Sequence, residues 1–220
     1  MANLTKTVRK LAAAALLIVG GFLCVQASWL PAKAWLSQQL IKHSWQQSIS
    51  IMAQQQMQEE QQQQQIRSQD NTNPHSLSKP IAIKPWPWAD TFPIAELVFQ
   101  RIDKSIVVLN GGDPTTLAFS AGAVAPFNQP AAIKPFVVAG HRDSHFAFLE
   151  DIAIKDIISL VDARGKMQHY QVESIDIVDA TIGQFPLIAD ERSLVLITCY
   201  PFKGITNSAD ERYVITATPL

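Results

Sequence analysis

The run Leu194-Val195-Leu196-Ile197-Thr198-Cys199 and the run Arg212-Tyr213-Val214-Ile215-Thr216-Ala217, which begins thirteen residues after the cysteine, decide how this chain folds. The parts 194–198 and 213–218 are rich in β-branched and aromatic residues, so each reads as a strand, with Cys199 directly after the first and Arg212 at the head of the second. A returning loop and antiparallel pairing would set the Arg212 guanidinium beside the Cys199 sulfur. Working outward, runs of the same kind fall at 95–100, 105–110, 136–140, 157–162 and 167–179, the last long enough to carry a bulge. Asp162-Ala163-Arg164-Gly165 joins two of them as a short hairpin. Helical turns are expected only at 118–124 and 146–151. Such closely spaced short strands predict a mainly β domain, a closed or nearly closed antiparallel-rich barrel with little room for long helices.

The first third of the chain is different. Lys6, Arg9 and Lys10 precede an apolar run over 11–32, about the length that crosses a bilayer. Positive residues ahead of it predict a cytoplasmic N-terminus, with everything after Lys33 outside, and Trp29 and Trp35 at the far interface. The competing expectation is a cleavable signal peptide ending near Val25-Gln26-Ala27; both export the remainder. Residues 34–66 are helix formers without Pro or Gly, and the Gln-rich tract 54–65 reads as a spacer, a partner surface or a solvated helix. Residues 68–84 collect Asn, Ser and Pro as a linker. The expected organisation is therefore an anchor over 1–33, a helical stalk and linker over 34–80 and a folded domain over 81–220. A length of 220 residues leaves no room for a second full domain, and a net charge of −1 without a basic stripe argues against nucleic acid as a partner.

Cys24 lies in the apolar run, so Cys199 has no disulfide partner. A lone thiol in an exported domain is a liability unless it is a buried core residue or reacts. Cysteine acyl transfer needs a thiolate, a proton donor for the leaving amine and a group that stabilises the oxyanion. Cys199 at a rigid strand end, His141 closing the strand Val137-Val138-Ala139-Gly140, and Arg212 at the head of the final strand fill those three needs. Gly140 leaves space for close approach of a substrate or a loop.

Gly140-His141 after a strand, Thr198-Cys199 after another, and Glu211-Arg212-Tyr213 occur in an order that resembles the sortase family. The segments Lys84-Pro85-Trp86-Pro87-Trp88-Ala89-Asp90, Ala139-Gly140-His141-Arg142-Asp143-Ser144-His145-Phe146 and Ile197-Thr198-Cys199-Tyr200-Pro201-Phe202 look most like its Gram-negative class. The resemblance covers about residues 85–219. It implies an eight-stranded barrel and a cysteine transpeptidase that cleaves a C-terminal Leu-Pro-x-Thr-Gly-like sorting motif of an exported protein after its Thr. By the same resemblance Cys199 forms a thioester, His141 moves the proton, Arg212 stabilises the oxyanion or positions the substrate, and an amine or water resolves the intermediate. The loop over 180–193 matches in position the loop that grips the motif, which nominates Phe185 and Leu187 as substrate contacts. The setting would be the inner membrane, with the domain facing the periplasm.

Thr198 is expected to hydrogen-bond Arg212 or the substrate, or to be a plain strand residue. Asp143 and His145 would orient the imidazole, line the cleft or lie in solvent. His43, His75 and His169 read as incidental or structural, and Trp86 and Trp88 as core packing, a lid or a substrate contact. No phosphate loop, zinc spacing or EF-hand pattern is present, and Asp176, Asp179, Asp190 and Glu191 lack ligand spacing, so no cofactor and no metal are expected. Two rival readings are an L,D-transpeptidase-like cell-wall enzyme, whose Cys normally follows Ser-His-Gly, and a non-catalytic envelope scaffold that keeps the barrel.

Overall fold

Eight strands, none longer than thirteen residues, follow one long helix in a computed structural model that describes residues 2–66, 82–182, 191–203 and 210–220. The chain forms two compact units, Met1–Gln39 and Leu40–Leu220, and helix α1 (Ala2–Ile66) contributes to both.

In the first unit α1 exposes Leu16, Leu17, Ile18, Val19, Phe22 and Leu23. Among the described residues no helix is long and apolar enough to cross a membrane. The span expected over 11–32 rests partly on residues whose side chains lie outside the described set, 1–15 and several between 25 and 31.

The second unit, Leu40–Leu220, includes the C-terminal part of α1. The reason is a four-residue spacing inside the Gln-rich helix. Ile41, Trp45 and Ile49 share one face, and they pack with Trp86 and Phe119 against Val107, Leu109, Val161 and Ala163 on the outside of the barrel. Trp45 Nε1 donates to Glu96 Oε2 at 3.0 Å, which gives the buried indole its polar partner. Ser44 and Ser48, buried on the same helix, donate back to the carbonyls of Ile41 and Ser44 and so need nothing from the barrel.

The strands are β1 (Pro93–Phe99), β2 (Lys104–Asn110), β3 (Ala121–Ala123), β4 (Phe136–Ala139), β5 (Ile157–Asp162), β6 (Met167–Asp179), β7 (Leu194–Tyr200) and β8 (Glu211–Pro219). They close in the order β1-β2-β3-β4-β7-β8-β6-β5, with parallel pairing only at β2–β3 and β4–β7. Closure removes every free sheet edge. Alternate residues fill the interior: Ala95, Leu97 and Phe99 from β1, Ile158 and Leu160 from β5, Tyr170 and Val172 from β6, Leu194 and Leu196 from β7, and Ile215 and Ala217 from β8. β6 carries the expected bulge, where its register against β8 shifts between Val172 and Ser174.

Seven strands match the sequence reading to within two or three residues at their ends. The eighth, β3, lies where a helical turn was expected. The turn itself comes earlier, as α2 (Pro114–Phe119), with Pro114 at its start and Asp113 capping it by accepting from the Thr116 amide at 3.0 Å and the Thr116 hydroxyl at 2.6 Å. Ala121-Gly122-Ala123 then enters the sheet because it lacks bulk. A Cβ at Gly122 would stand 2.0 Å from the Gly111 carbonyl oxygen, so only glycine permits this backbone approach.

Candidate active site

β7 and β8 pair antiparallel with Cys199 directly opposite Arg212. Directly opposed residues project from the same face, with Cβ atoms about 4.5–5.5 Å apart. That face is the outer one: Val195 and Ile197, in step with Cys199, pack with Val137 and Val214 in a cluster outside the main core. Cys199 is half-buried and unpaired, and Arg212 is half-buried with its Nη1 donating to the Glu211 carbonyl at 3.0 Å. A cation thus stands in register with the sulfur, the arrangement an anionic nucleophile and a developing oxyanion both favour.

His141 reaches the same strand from the other side. β4 runs parallel to β7 with Ala139 level with Ile197, and the ladder continues one step as the Gly140 amide donates to the Ile197 carbonyl at 3.1 Å. The Thr198 hydroxyl, fully buried, donates to the Gly140 carbonyl at 2.7 Å. Both backbone polar groups of Gly140, the residue before His141, are therefore tied to the strand that carries Cys199. Thr198 makes its contact with Gly140, an option the sequence reading did not include beside Arg212, substrate and plain strand residue.

Beyond β4 the chain turns back on the His141 carbonyl, which accepts from the Ser144 amide at 3.4 Å and the Phe146 amide at 2.9 Å. The Phe146 ring is buried in the main core and lies under Gly140, where an added Cβ would meet its Cγ and Cδ2 at 2.8 Å. The space that Gly140 leaves open is thus filled by this ring, not held for a substrate. Arg142 Nη1 donates to the Pro201 carbonyl at 2.7 Å, just past Cys199, and Lys203 pairs with Glu150 at 3.6 Å. Four links therefore join the segment after β4 to β7 and its continuation, two through Gly140, one through Arg142 and one through Glu150. Arg142 stood in the quoted Gly-His-Arg-Asp run without a role; its contact depends on folding, and no local sequence signal marks it.

Asp143 is exposed, and its charge acts on His145. Burial holds His145 below the ordinary histidine range, aided by nearby His141 and opposed by its contact with the Ala118 carbonyl and by Asp143. It is then a neutral ring at neutral pH. Tyr200, Phe202 and Tyr213 cluster beside the site, with Tyr200 and Tyr213 stacked at 6.2 Å and Phe202 edge-on to Tyr213 at 5.0 Å. Burial, and then Tyr200, push the Tyr213 phenol above its ordinary value, so it stays protonated. Phe185 and Leu187 lie outside the described residues. Trp86 packs edge-on to Phe119 at 4.8 Å, while Trp88 is exposed. His169 Nδ1 lies 2.9 Å from the Ser159 hydroxyl, remote from Cys199 in the β5–β6 ladder. A cavity of about 550 Å3 opens at the far end of the barrel, by Phe92, Ile94, Asn110, Asn128 and Asp162. Among the described residues no group of three or more His, Cys, Asp or Glu side chains is placed to hold a metal.

The family model of the sortase domain matches residues 97–220, which hold His141, Cys199 and Arg212. The chain belongs to the sortase family. A curated relative, Sortase D of Bacillus subtilis (strain 168), is 28% identical over 120 residues, covering 54% of this chain and 60% of the relative. The chain therefore matches less than two thirds of that sortase's length. Solved sortase structures share the fold. Sortase A from Corynebacterium diphtheriae, a lid mutant, superposes with a TM-score of 0.53 at 23% identity over 60% of this chain and 73% of that one. A Clostridium perfringens Sortase D5 transpeptidase gives 0.51 at 19% identity over 59% and 79%. The sortase match answers the fold expectation directly, a mainly β, closed eight-stranded barrel with few short helices, and leaves no ground for the L,D-transpeptidase reading.

Proposed function

We propose that this chain is a sortase transpeptidase in which Cys199 attacks the carbonyl of the residue before the scissile bond, the Thr of a Leu-Pro-x-Thr-Gly-like motif. The observation that carries the reading is the register of three strands: Cys199 opposite Arg212 across β7–β8, with His141 one residue beyond the Gly140 that β7 holds. The thiolate adds to the carbonyl, the oxyanion faces the Arg212 guanidinium, and the C–N bond breaks as the His141 imidazolium gives its proton to the departing amine. An incoming amine then attacks the thioester, loses its proton to His141 and leaves Cys199 as thiolate. Water in that role gives hydrolysis.

The partner is an exported protein carrying the motif near its C-terminus. The exposed apolar residues of α1 between Leu16 and Leu23 support a membrane-tethered enzyme, since a water-soluble surface rarely leaves so many large apolar side chains in one stretch. The basic residues Lys6, Arg9 and Lys10 ahead of them support an orientation with the barrel outside the cytoplasm. The Gly-His-Arg-Asp and Thr-Cys-Tyr-Pro-Phe runs support the Gram-negative class, and with it a periplasmic site.

The test is mass spectrometry of the protein mixed with motif peptides. A Cys199-linked acyl adduct ending at the motif Thr is expected, and Cys199→Ala should form none and transfer nothing to an added amine while keeping its melting temperature. Peptide turnover at the normal rate by Cys199→Ala would sink the assignment.

A further inference from the structure

The segment after β4 and the segment after β7 end in different loops, yet they are joined at the level of the site by a charged side chain. Arg142 Nη1 reaches the Pro201 carbonyl at 2.7 Å in partly buried surroundings, across 59 positions of sequence. Arg142 is the residue after His141, and Pro201 is two beyond Cys199. The Thr198–Gly140 bond fixes the backbone on the inner side of this junction. It does not reach the side chain of His141, which is exposed at the start of the turn that runs to Phe146. We infer that Arg142 is a positioning residue for the reaction, holding the His141 turn against the Tyr200-Pro201 segment so that imidazole and sulfur keep a fixed separation.

The chemistry favours arginine for this work. A guanidinium to carbonyl bond is charge-assisted and stronger than a neutral one, and its planar donors reach a carbonyl at a fixed angle that a flexible ammonium holds less firmly. The next residues repeat the same join, since Lys203 and Glu150 pair across the two segments. That pair is exposed and weak by itself. Arg142 is therefore the link on which the relative placement of the two segments depends outside the sheet. Arg212 does not substitute for it, because Arg212 approaches Cys199 from β8, on the side away from β4.

This inference rests on the reading of Cys199 and His141 as a thiolate–imidazolium pair, so its test includes a readout that needs no substrate. In the full chain, Arg142→Met, Arg142→Lys and His141→Ala are compared for the pH dependence of Cys199 alkylation by iodoacetamide, with the label mapped to Cys199 by peptide mass spectrometry. Cleavage of a motif peptide gives kcat and KM in parallel. Arg142→Met is expected to move the alkylation profile toward that of His141→Ala and to lower kcat by roughly 10- to 100-fold with KM nearly unchanged, the loss that follows a misplaced reacting group. Arg142→Lys should recover most of both. A wild-type alkylation profile and kcat in Arg142→Met overturn the inference. So does equal impairment of the Met and Lys variants with a matching fall in melting temperature, which marks a merely structural residue. If His141→Ala leaves the alkylation profile unchanged, there is no pair to position and the inference fails. If peptides go unprocessed while the alkylation shifts appear as expected, the substrate reading fails and the positioning role stands.

Discussion

Substituting Gly140 by alanine puts one methyl group against a ring that has nowhere to go. The new Cβ would stand 2.8 Å from Cγ and Cδ2 of Phe146 and 3.2 Å from Cε2. Carbon atoms prefer separations of about 3.5–4.0 Å, so ring and backbone must part by roughly 1 Å. Phe146 is fully buried with Leu149 and edge-on to Phe148 at 6.2 Å, and its amide is tied to the His141 carbonyl at 2.9 Å, so the ring cannot swing into solvent. Overpacking of this kind costs about 1–3 kcal/mol. For a domain of this size each kcal/mol is worth about 2–4 °C, which sets the expected fall in melting temperature at roughly 2–12 °C. The strain falls on the residue before His141, so peptide cleavage should fall as well, by up to about 100-fold if the imidazole moves by 1 Å. The decisive assay is a double-mutant cycle by denaturant unfolding. Phe146→Ala removes Cγ and Cδ2, the atoms that obstruct, so Gly140→Ala should cost less in that background, with a coupling of about 0.5–3 kcal/mol. A Gly140→Ala protein within about 0.5 kcal/mol of the parent, or costs that simply add, would refute the packing argument.

Trp45→Ala should destabilise the barrel unit by about 3–5 kcal/mol, because it removes a buried indole from the seam with Val107, Leu109 and Ala163 and leaves Glu96 without its donor; denaturant unfolding of the full chain reads this, and a loss under 1 kcal/mol would mean the helix is only loosely applied. Acid stability should report on Asp156, whose carboxyl is held below the ordinary aspartate range chiefly by its hydrogen bonds to Arg101, one of them 2.6 Å long. Because the folded pKa is the lower one, the unfolded chain binds the extra proton first, so the stabilisation is complete above an ordinary aspartate pKa of about 4 and is lost as pH falls through the folded value. Asp156→Asn should flatten the decline of stability below about pH 4 in thermal melts, and an unaltered slope would argue that other carboxylates govern it.

The strands that were legible in the sequence are those whose β-branched and aromatic residues alternate or run together, such as Ile157–Asp162 and Met167–Asp179, which the structure reproduces residue for residue. β3 was not legible, because Ala121, Gly122 and Ala123 enter the sheet for want of side chains, and propensity registers presence better than absence. The packed part of α1 was hidden for a related reason: Ile41, Trp45 and Ile49 lie among glutamines and polar residues, so composition suggested a helical stalk while the spacing marks a packed face. At the site, Cys199, His141 and Arg212 could be nominated because each sits beside a strand with a clear signature. The contacts that tie their surroundings together, Thr198 to Gly140 and Arg142 to Pro201, span 58 and 59 positions and arise only from the parallel pairing of β4 with β7. Nothing local in a sequence encodes which distant carbonyl a hydroxyl or guanidinium will find.

That parallel pairing also bears on when the protein becomes reactive. A hairpin can form as soon as its two strands exist, but β4 and β7 meet only after β5 and β6 have been made and carried around the far side of the barrel. Long-range pairing of this sort comes late and slowly in folding. Until it does, nothing holds the His141 segment beside Cys199. The strand crossing that completes the barrel is therefore also the step that assembles the proposed site.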